Sequence, residues 1–158
     1  MTTATVTNEP TTPALRGASP SDLPQVERLL VGAGLPLAGV AAALPTFTVA
    51  EVGATLVGVA GLEVCCDNAL LRSVAVAPEW QGRGLGRALV TRVIADAEAR
   101  GLRALYLLTT TAEHYFPSFG FVRTSRDRVP EEVRATEEFK GVCPSSAVVM
   151  ERPLGTAA

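Results

Sequence analysis

Residues 81–86 read Gln-Gly-Arg-Gly-Leu-Gly and stand between an apolar run ending at Val76 and a helically spaced run beginning at Leu85. A glycine-rich turn that opens a helix leaves the first helical amides unpaired at the positive end of the dipole, an arrangement suited to phosphate. Gly84 and Gly86 lack a Cβ, so an anion can approach the backbone closely, and Arg83 and Arg87 add positive charge. A glycine turn that serves packing alone is the competing reading. A dinucleotide-binding βαβ unit does not fit, because three antiparallel strands are read ahead of the turn.

Other side chains bear on proton transfer or on a second anion. Glu63 lies in a run of apolar and small residues, where an ionised carboxylate is costly without a task or a partner. It is either a base for an ammonium group or a Glu on the solvent side of its strand. Arg72 and Arg134 are candidate partners for a carboxylate or oxyanion, since a guanidinium fork binds such planar anions bidentately; each is equally readable as a solvated surface Arg. His114, the single histidine, could titrate near neutrality but is read as packing and hydrogen bonding at a helix start. Cys65 and Cys66 are adjacent, so on a strand they point to opposite faces and share a metal only across a bulge. They are read as small apolar strand residues, and neither they nor Cys143 suggest a metal site.

The elements that must position these groups follow from periodicity. Ala14–Gly17 reads as a strand. Ser19-Pro20-Ser21-Asp22 reads as a capped helix start, with Leu23, Val26, Leu29 and Leu30 at helical spacing until Gly32 and Gly34. A short second helix is predicted within Leu37–Leu44. Phe47–Val52 and Thr55–Cys66 form a hairpin about Gly53-Ala54, and after a turn at Asp67-Asn68 the chain returns as a strand over Leu70–Ala77. Beyond Pro78 the period becomes helical, with Leu85, Leu89, Val93, Ile94 and Ala97 on one face up to Arg100-Gly101. Ala104–Thr109 is a strand, Ala112–Phe119 a short helix, Phe121–Arg126 a strand, Pro130–Phe139 a surface helix and Ala147–Arg152 the last strand. The fold class is α/β, with helices flanking a mixed sheet.

At 158 residues the chain holds one ordinary domain, and 47% hydrophobic against 19% charged residues suits a compact core. Residues 1–13, rich in Thr and Pro, are expected to be a disordered tail, leaving 14–154 as the domain. With 14 basic and 16 acidic residues the net charge is -2, which argues against a nucleic-acid partner. No apolar run approaches the ~18 residues of a membrane span and no signal peptide is read, so a cytoplasmic location is expected.

The segment Gln81-Gly82-Arg83-Gly84-Leu85-Gly86 matches the Q/R-x-x-G-x-G/A signature of the GNAT superfamily of N-acetyltransferases, and the resemblance extends through the strand Val74-Ala75-Val76 and the pair Gly120-Phe121. It implies a mostly antiparallel mixed sheet with two splayed parallel strands. It also implies acetyl-CoA as cosubstrate, with its pyrophosphate on the amides of Gln81, Gly82, Arg83, Gly84, Leu85, Gly86 and Arg87. Its pantetheine arm would lie along Val74, Ala75 and Val76, and the oxyanion would meet a strand amide near Val74. The resemblance further implies that Thr109 and Phe116 occupy the positions where many members carry Asn and a proton-donating Tyr. Phe116 has no proton to give, so Tyr115 is either the acid in its place or an aromatic packing against the sheet.

Leu108-Thr109-Thr110, His114-Tyr115-Phe116 and Gly120-Phe121 resemble the acetyltransferase domain of N-acetylglutamate synthase. Leu71-Arg72-Ser73-Val74-Ala75-Val76, Tyr106–Thr111 and Arg134–Phe139 with Cys143–Ala147 are similar to the ArsN-type acetyltransferases of arsenic-resistance operons. The implied acceptor is a small amino-acid-like amine, with an arsenical or phosphinate analogue of glutamate as the finer reading, Arg72, Ser73 and Arg134 as substrate-binding residues and Glu63 as base. The alternatives are a protein or peptide N-acetyltransferase and a non-catalytic acyl-CoA sensor; a homodimer stays open.

Overall fold

The computed structural model describes residues 12–110, 112–142 and 147–155. The expected tail therefore falls almost wholly outside the described residues, as does Cys143. Among the described residues seven strands form one sheet: β1 (Ala14–Gly17), β2 (Thr48–Val52), β3 (Thr55–Cys65), β4 (Asn68–Val76), β5 (Ala104–Thr109), β6 (Val122–Thr124) and β7 (Val148–Pro153), in the order β1-β2-β3-β4-β5-β7-β6. All neighbours are antiparallel except β4 and β5. The helices are α1 (Leu23–Gly32), α2 (Val40–Ala43), α3 (Leu85–Ala99) and α4 (Glu131–Arg134).

The period-two alternation of the strands assigns the two faces. Ala69, Leu71, Leu105, Leu107 and Met150 turn towards α3, where Leu85, Leu89, Val93, Ile94 and Ala97 supply the facing stripe. Gly58 allows this contact, since a Cβ there would stand 2.8 Å from Leu89. On the opposite face Val59 and Ala75 meet Val26, Leu30, Val40 and Phe47 of the α1–α2 region. Leu70, Ala104, Tyr106 and Val149 meet Val129, Val133 and Phe139.

Several expected elements are shorter than their periodicity suggests. Residues 112–119 yield only a 3-10 turn at Phe116–Phe119, because Pro117 is tolerated in a first helical turn and not at the sixth position of a longer helix. Helix α2 is confined to four residues between Gly39, at φ +79°, and a 3-10 turn over Leu44–Thr46. The strand expected over 121–126 is limited to β6.

The expected surface helix over 130–139 is neither continuous nor on the surface. It stops after α4, is followed by a π-type turn over Glu138–Val142, and buries Val133, Thr136, Glu138 and Phe139. The Thr136 hydroxyl donates to the Val133 carbonyl at 2.8 Å and accepts the Phe139 amide at 3.3 Å, a local alternative to helical pairing. The turn after β3 is made by Cys66, at φ +59° and exposed, so Cys66 is not an apolar strand residue, whereas Cys65 is half-buried at the strand end.

Candidate active site

β4 and β5 pair only at Asn68–Leu70 against Ala104–Tyr106. Beyond Leu70 the two part: β4 continues along β3 as far as Val76, and β5 continues along β7 as far as Thr109. Among the described residues the edge of β4 that faces β5 therefore has no strand partner from Leu71 onwards. Between Gly61↔Arg72 and Val59↔Ala75 one more residue lies on β4 than on β3, a bulge. Ser73 sits in it at φ +58°, a left-handed conformation that costs a non-glycine residue about 1–3 kcal/mol. The bulge also changes the phase of the strand: Leu71 faces α3 before it, and Val74 and Val76 do so after it.

The splay opens a cavity of about 300 Å³. Its walls are Leu71, Arg72, Ser73 and Val74 on one side and Leu107, Leu108, Thr109 and Thr110 on the other. The α1–α2 loop (Gly34, Leu35, Pro36), Phe116, Glu138 and Ala147 close it. Thr109 is held in place by accepting the Ala112 amide on its Oγ1 at 2.9 Å.

At the other end of the β4 edge lies the glycine turn. Gly82 and Gly84 have φ of +79° and +85°, and a Cβ on either would meet nothing within 4 Å. Glycine is demanded there by the left-handed backbone, and the space above is open. Gly84 is the N-cap of α3, so the amides that follow it start the helix at the positive end of its dipole. Leu85 buries its side chain in the core, so only its amide faces the turn. At Gly86 the backbone is helical, and a Cβ would lie at contact distance, 3.4 Å from the Tyr115 hydroxyl and 3.7 Å from Val76. The Arg83 guanidinium stacks 4.6 Å from the centre of the Trp80 ring and that of Arg87 4.6 Å from Phe119, with Arg87 also donating to Ser118 Oγ at 3.1 Å. Gln81 donates its side-chain amide to the Val76 carbonyl at 3.0 Å, which occupies one acceptor of the β4 edge.

The charged residues are arranged differently from the sequence expectation. The Arg72 side chain is fully buried and spends its donors inside the protein. Nη1 donates to Glu63 Oε1 at 2.9 Å, Nη2 to the Ala38 carbonyl at 2.7 Å and Nε to Ser73 Oγ at 3.0 Å, with Glu138 Oε1 3.3 Å from Nε. Arg72 is thus neither a surface Arg nor an unengaged clamp for a substrate anion. Arg134 is exposed on the last turn of α4 and does not line the cavity. Glu63 has the partner its surroundings call for, Arg72, and its carboxylate borders a separate depression with Ala42, Ala43, Pro45, Thr46 and Val64.

Glu138, which the sequence reading assigns to a surface helix, is the carboxylate on the cavity wall among the described residues. It is 5% exposed. Burial pushes its carboxyl above the ordinary range, Arg72 pulls it back down and Glu63 pushes it further up.

Of the two aromatic residues, Phe116 is buried on the cavity wall, whereas Tyr115 is half-exposed with its ring edge-on to Phe116 and Phe119 at 5.2 and 5.3 Å. The Tyr115 hydroxyl is directed at Gly86 and the start of α3; burial raises its pKa and Arg87 lowers it. His114 is exposed in the preceding turn, not packed. Among the described residues no group of three or more His, Cys, Asp or Glu side chains is placed to hold a metal ion, and no helix is long and apolar enough to cross a membrane.

Residues 44–123 match the family described as the acetyltransferase (GNAT) domain. The amino-acid acetyltransferase of Ralstonia nicotianae is 46% identical over 61 residues, 39% of this chain and 14% of that protein. That of Pseudomonas fluorescens strain SBW25 is 36% identical over 86 residues, 53% of this chain and 20% of that protein. The chain thus matches a fifth or less of the length of these relatives. N-acetylglutamate synthase from Neisseria gonorrhoeae, complexed with coenzyme A and N-acetyl-glutamate, superposes with a TM-score of 0.79 at 24% identity, over 93% of this chain and 36% of that one. The ribosomal-protein-S18-alanine N-acetyltransferase of Escherichia coli superposes with a TM-score of 0.71 at 22% identity, over 92% and 96% of the two chains. At these identities the fold is what is shared.

Proposed function

The chain belongs to the acetyltransferase (GNAT) family, and on that footing we propose that residues 14–154 form an acetyl-CoA-dependent N-acetyltransferase acting on the amino group of a small amino-acid-like molecule. The observation that carries this is the partnerless edge of β4, which runs from the glycine turn at α3 through the Ser73 bulge into the cavity. The residues fit the cosubstrate. The open space over Gly82 and Gly84, the start of α3 and the two stacked arginines suit a pyrophosphate, and the apolar β4 edge at Val74 and Val76 suits an extended arm.

Acetyl-CoA supplies an acetyl group activated as a thioester. The protein's part is to receive an ammonium between the α1–α2 loop and β5, to remove one of its protons and to bring the amine nitrogen to the bulge. There the irregular backbone at Ser73 and Val74 presents a main-chain N–H to the developing oxyanion. Tyr115 serves better at the start of α3, beside Gly86 and Arg87, than as an acid inside the cavity. Phe116 lines the cavity and has no proton to give, so departure of the thiolate rests on its own weak basicity.

The amino-acid acceptor is supported by the relatives named amino-acid acetyltransferase. The finer reading, an arsenical or phosphinate analogue of glutamate, rests on the resemblance of Leu71–Val76 and Arg134–Phe139 to the ArsN-type enzymes. With Arg72 engaged by two glutamates, an anionic head would be received by the hydroxyls of Ser73, Thr109 and Thr110. A thiol-release assay over free amino acids, glutamate analogues with arsenical or phosphinate heads, and peptides tests both levels. Turnover of a free amino acid is expected. Calorimetric binding of acetyl-CoA with no turnover of any amine would leave an acyl-CoA sensor instead.

A further inference from the structure

We propose that Glu138 is the general base of the acceptor half-reaction and that Arg72, anchored by Glu63, is the residue that positions it. The inference rests on the acetyltransferase reading above and names the group that reading leaves open.

Three carboxylates come under consideration from their surroundings, and geometry separates them. Glu63 borders a different depression and is directed at Arg72 Nη1. Glu137, next in chain to Glu138, is exposed and packs against Gly39. Glu138 alone of the three lines the splay, opposite the β5 hydroxyls and beside the bulge where the amine nitrogen must arrive. It is brought there by the buried turn after α4, whose neighbours Thr136 and Phe139 are also buried, so the carboxylate is carried on a packed element and not on a loose loop.

Among the described residues the groups facing Glu138 are few. From β4 come the Arg72 guanidinium, 3.3 Å away, and the Ser73 hydroxyl that shares the same Nε. From β3 comes Glu63, on the far side of Arg72. The β5 and α1–α2 walls contribute Thr109 and Thr110 hydroxyls and the uncharged residues Gly34, Leu35 and Pro36. One cation shared between two carboxylates leaves the cluster with one negative charge when both are ionised. That charge attracts an ammonium and, with Glu138 itself buried, accepts its proton more readily than an exposed glutamate does. Burial acts in the same direction on the carboxyl.

The step balances without a further reactant. An N–H bond of the ammonium breaks and an O–H bond forms on Glu138. The freed lone pair makes the C–N bond to the thioester carbonyl carbon, the C–S bond breaks, coenzyme A leaves as thiolate, and the nitrogen sheds its second proton to water to give the neutral amide. The Glu138 proton is returned to the thiolate or to water, restoring the base.

Steady-state kinetics over a pH series with Glu138→Gln, Glu138→Asp and Glu63→Gln test the assignment, with acetyl-CoA binding by calorimetry and thermal melts as measures of folding. For an amine turned over by the wild type, Glu138→Gln should lower kcat/KM by roughly 10²–10⁴-fold near neutrality with acetyl-CoA affinity retained. Its rate should climb tenfold per pH unit towards the ammonium's own pKa. Glu138→Asp should fall between, and Glu63→Gln, which removes the carboxylate that pushes Glu138 up, should keep a Glu138-dependent limb but move it to lower pH. A Glu138→Gln enzyme within threefold of wild type with the same profile overturns the assignment. Titration of 13C-labelled glutamate carboxyls, with Glu138 identified by the resonance missing in Glu138→Gln, reads the same group without turnover. A midpoint no higher than that of exposed glutamates removes the base even if no acceptor has been found, whereas a raised midpoint with no turnover of any amine overturns the acetyltransferase reading alone.

Discussion

Arg72 Nε lies 3.3 Å from Oε1 of Glu138, an ion pair that joins the bulge of β4 to the buried turn ahead of β7 across the cavity. The same guanidinium holds Glu63 at 2.9 Å, and its side chain has no exposure to solvent. Removing one partner from such a cluster leaves uncompensated buried charge, whereas removing both removes the problem together with the attraction. Arg72→Met should therefore cost about 3–5 kcal/mol at neutral pH, and the double variant Arg72→Met/Glu138→Gln should recover part of it. Urea denaturation of the four proteins of this cycle measures the coupling. A coupling below about 0.5 kcal/mol would mean that the pair is a contact without energetic consequence.

The sign of the pH dependence follows from the same cluster. Burial raises the Glu138 carboxyl, so the folded state binds its proton more tightly than the unfolded chain does. The resulting stabilisation is complete below the unfolded carboxylate pKa and is lost as pH rises through the higher folded value. Asp22 behaves in the opposite way. It accepts two hydrogen bonds from Arg16, at 2.8 and 3.0 Å, and the Ser19 amide at 2.8 Å, and these hold its carboxyl down at about 2. Its contribution is present above the unfolded value near 3.8 and disappears as pH falls through about 2. Asp22→Asn should lose roughly 1–2 kcal/mol at pH 7, discounted for the half-exposed Arg16, and the difference from wild type should shrink steadily in melts below pH 4.

The course of α3 is legible in the sequence because one periodic stripe, one glycine turn and one terminal Gly agree. The helix occupies Leu85–Ala99 and ends at Gly101, which has φ +74°. The strands are legible for the same reason. Glu138 is not, because residues 130–139 read as one surface helix while Thr136 diverts the backbone into a turn whose burial depends on Leu70, Tyr106 and Val149 far away in the chain. The engagement of Arg72 is hidden likewise: alternation places it on the face of β4 opposite Leu71, but only the bulge at Ser73 and the register with β3 bring Glu63 and Glu138 to it. The Pro117 residue is the one plain sign that residues 112–119 do not form a regular helix.

Gly84 and Gly86 should respond differently to the same small change. At Gly84 the backbone is left-handed with open space above it, so Gly84→Ala should cost about 1–2 kcal/mol in stability through strain and weaken acetyl-CoA by obstructing the amides. At Gly86 the backbone is helical and an added Cβ would be in ordinary contact with the Tyr115 hydroxyl and Val76. Gly86→Ala should therefore leave stability unchanged or raise it by about 0.5–1 kcal/mol. Any loss should appear only in acetyl-CoA affinity. Paired thermal melts and calorimetric titrations separate the two effects, and equal acetyl-CoA affinity in both variants and wild type would remove the glycine turn from the binding site.

Phe116 and Tyr115 offer the sharpest contrast between position and chemistry. Phe116 is on the cavity wall and has no proton to give; Tyr115 has the proton, but its hydroxyl is turned to Gly86. Phe116→Tyr adds a hydroxyl at the edge of a cavity already lined by Ser73, Thr109 and Thr110, so polar partners are at hand and the ring keeps its edge contact with Phe121 at 5.7 Å. The variant should be tolerated or mildly activating, because it places a phenol where the leaving thiolate can take up a proton. Tyr115→Phe should raise KM for acetyl-CoA while changing kcat by less than about threefold, because a hydroxyl at the start of α3 acts on binding. Steady-state kinetics of both variants with one amine decide between them. A fall beyond ~100-fold in kcat/KM for Phe116→Tyr, roughly 2.7 kcal/mol of transition-state stabilisation, would show that the cavity requires an apolar ring there. An equal fall in kcat for Tyr115→Phe would return the acid's role to Tyr115 and require its ring to swing from Gly86 towards the splay.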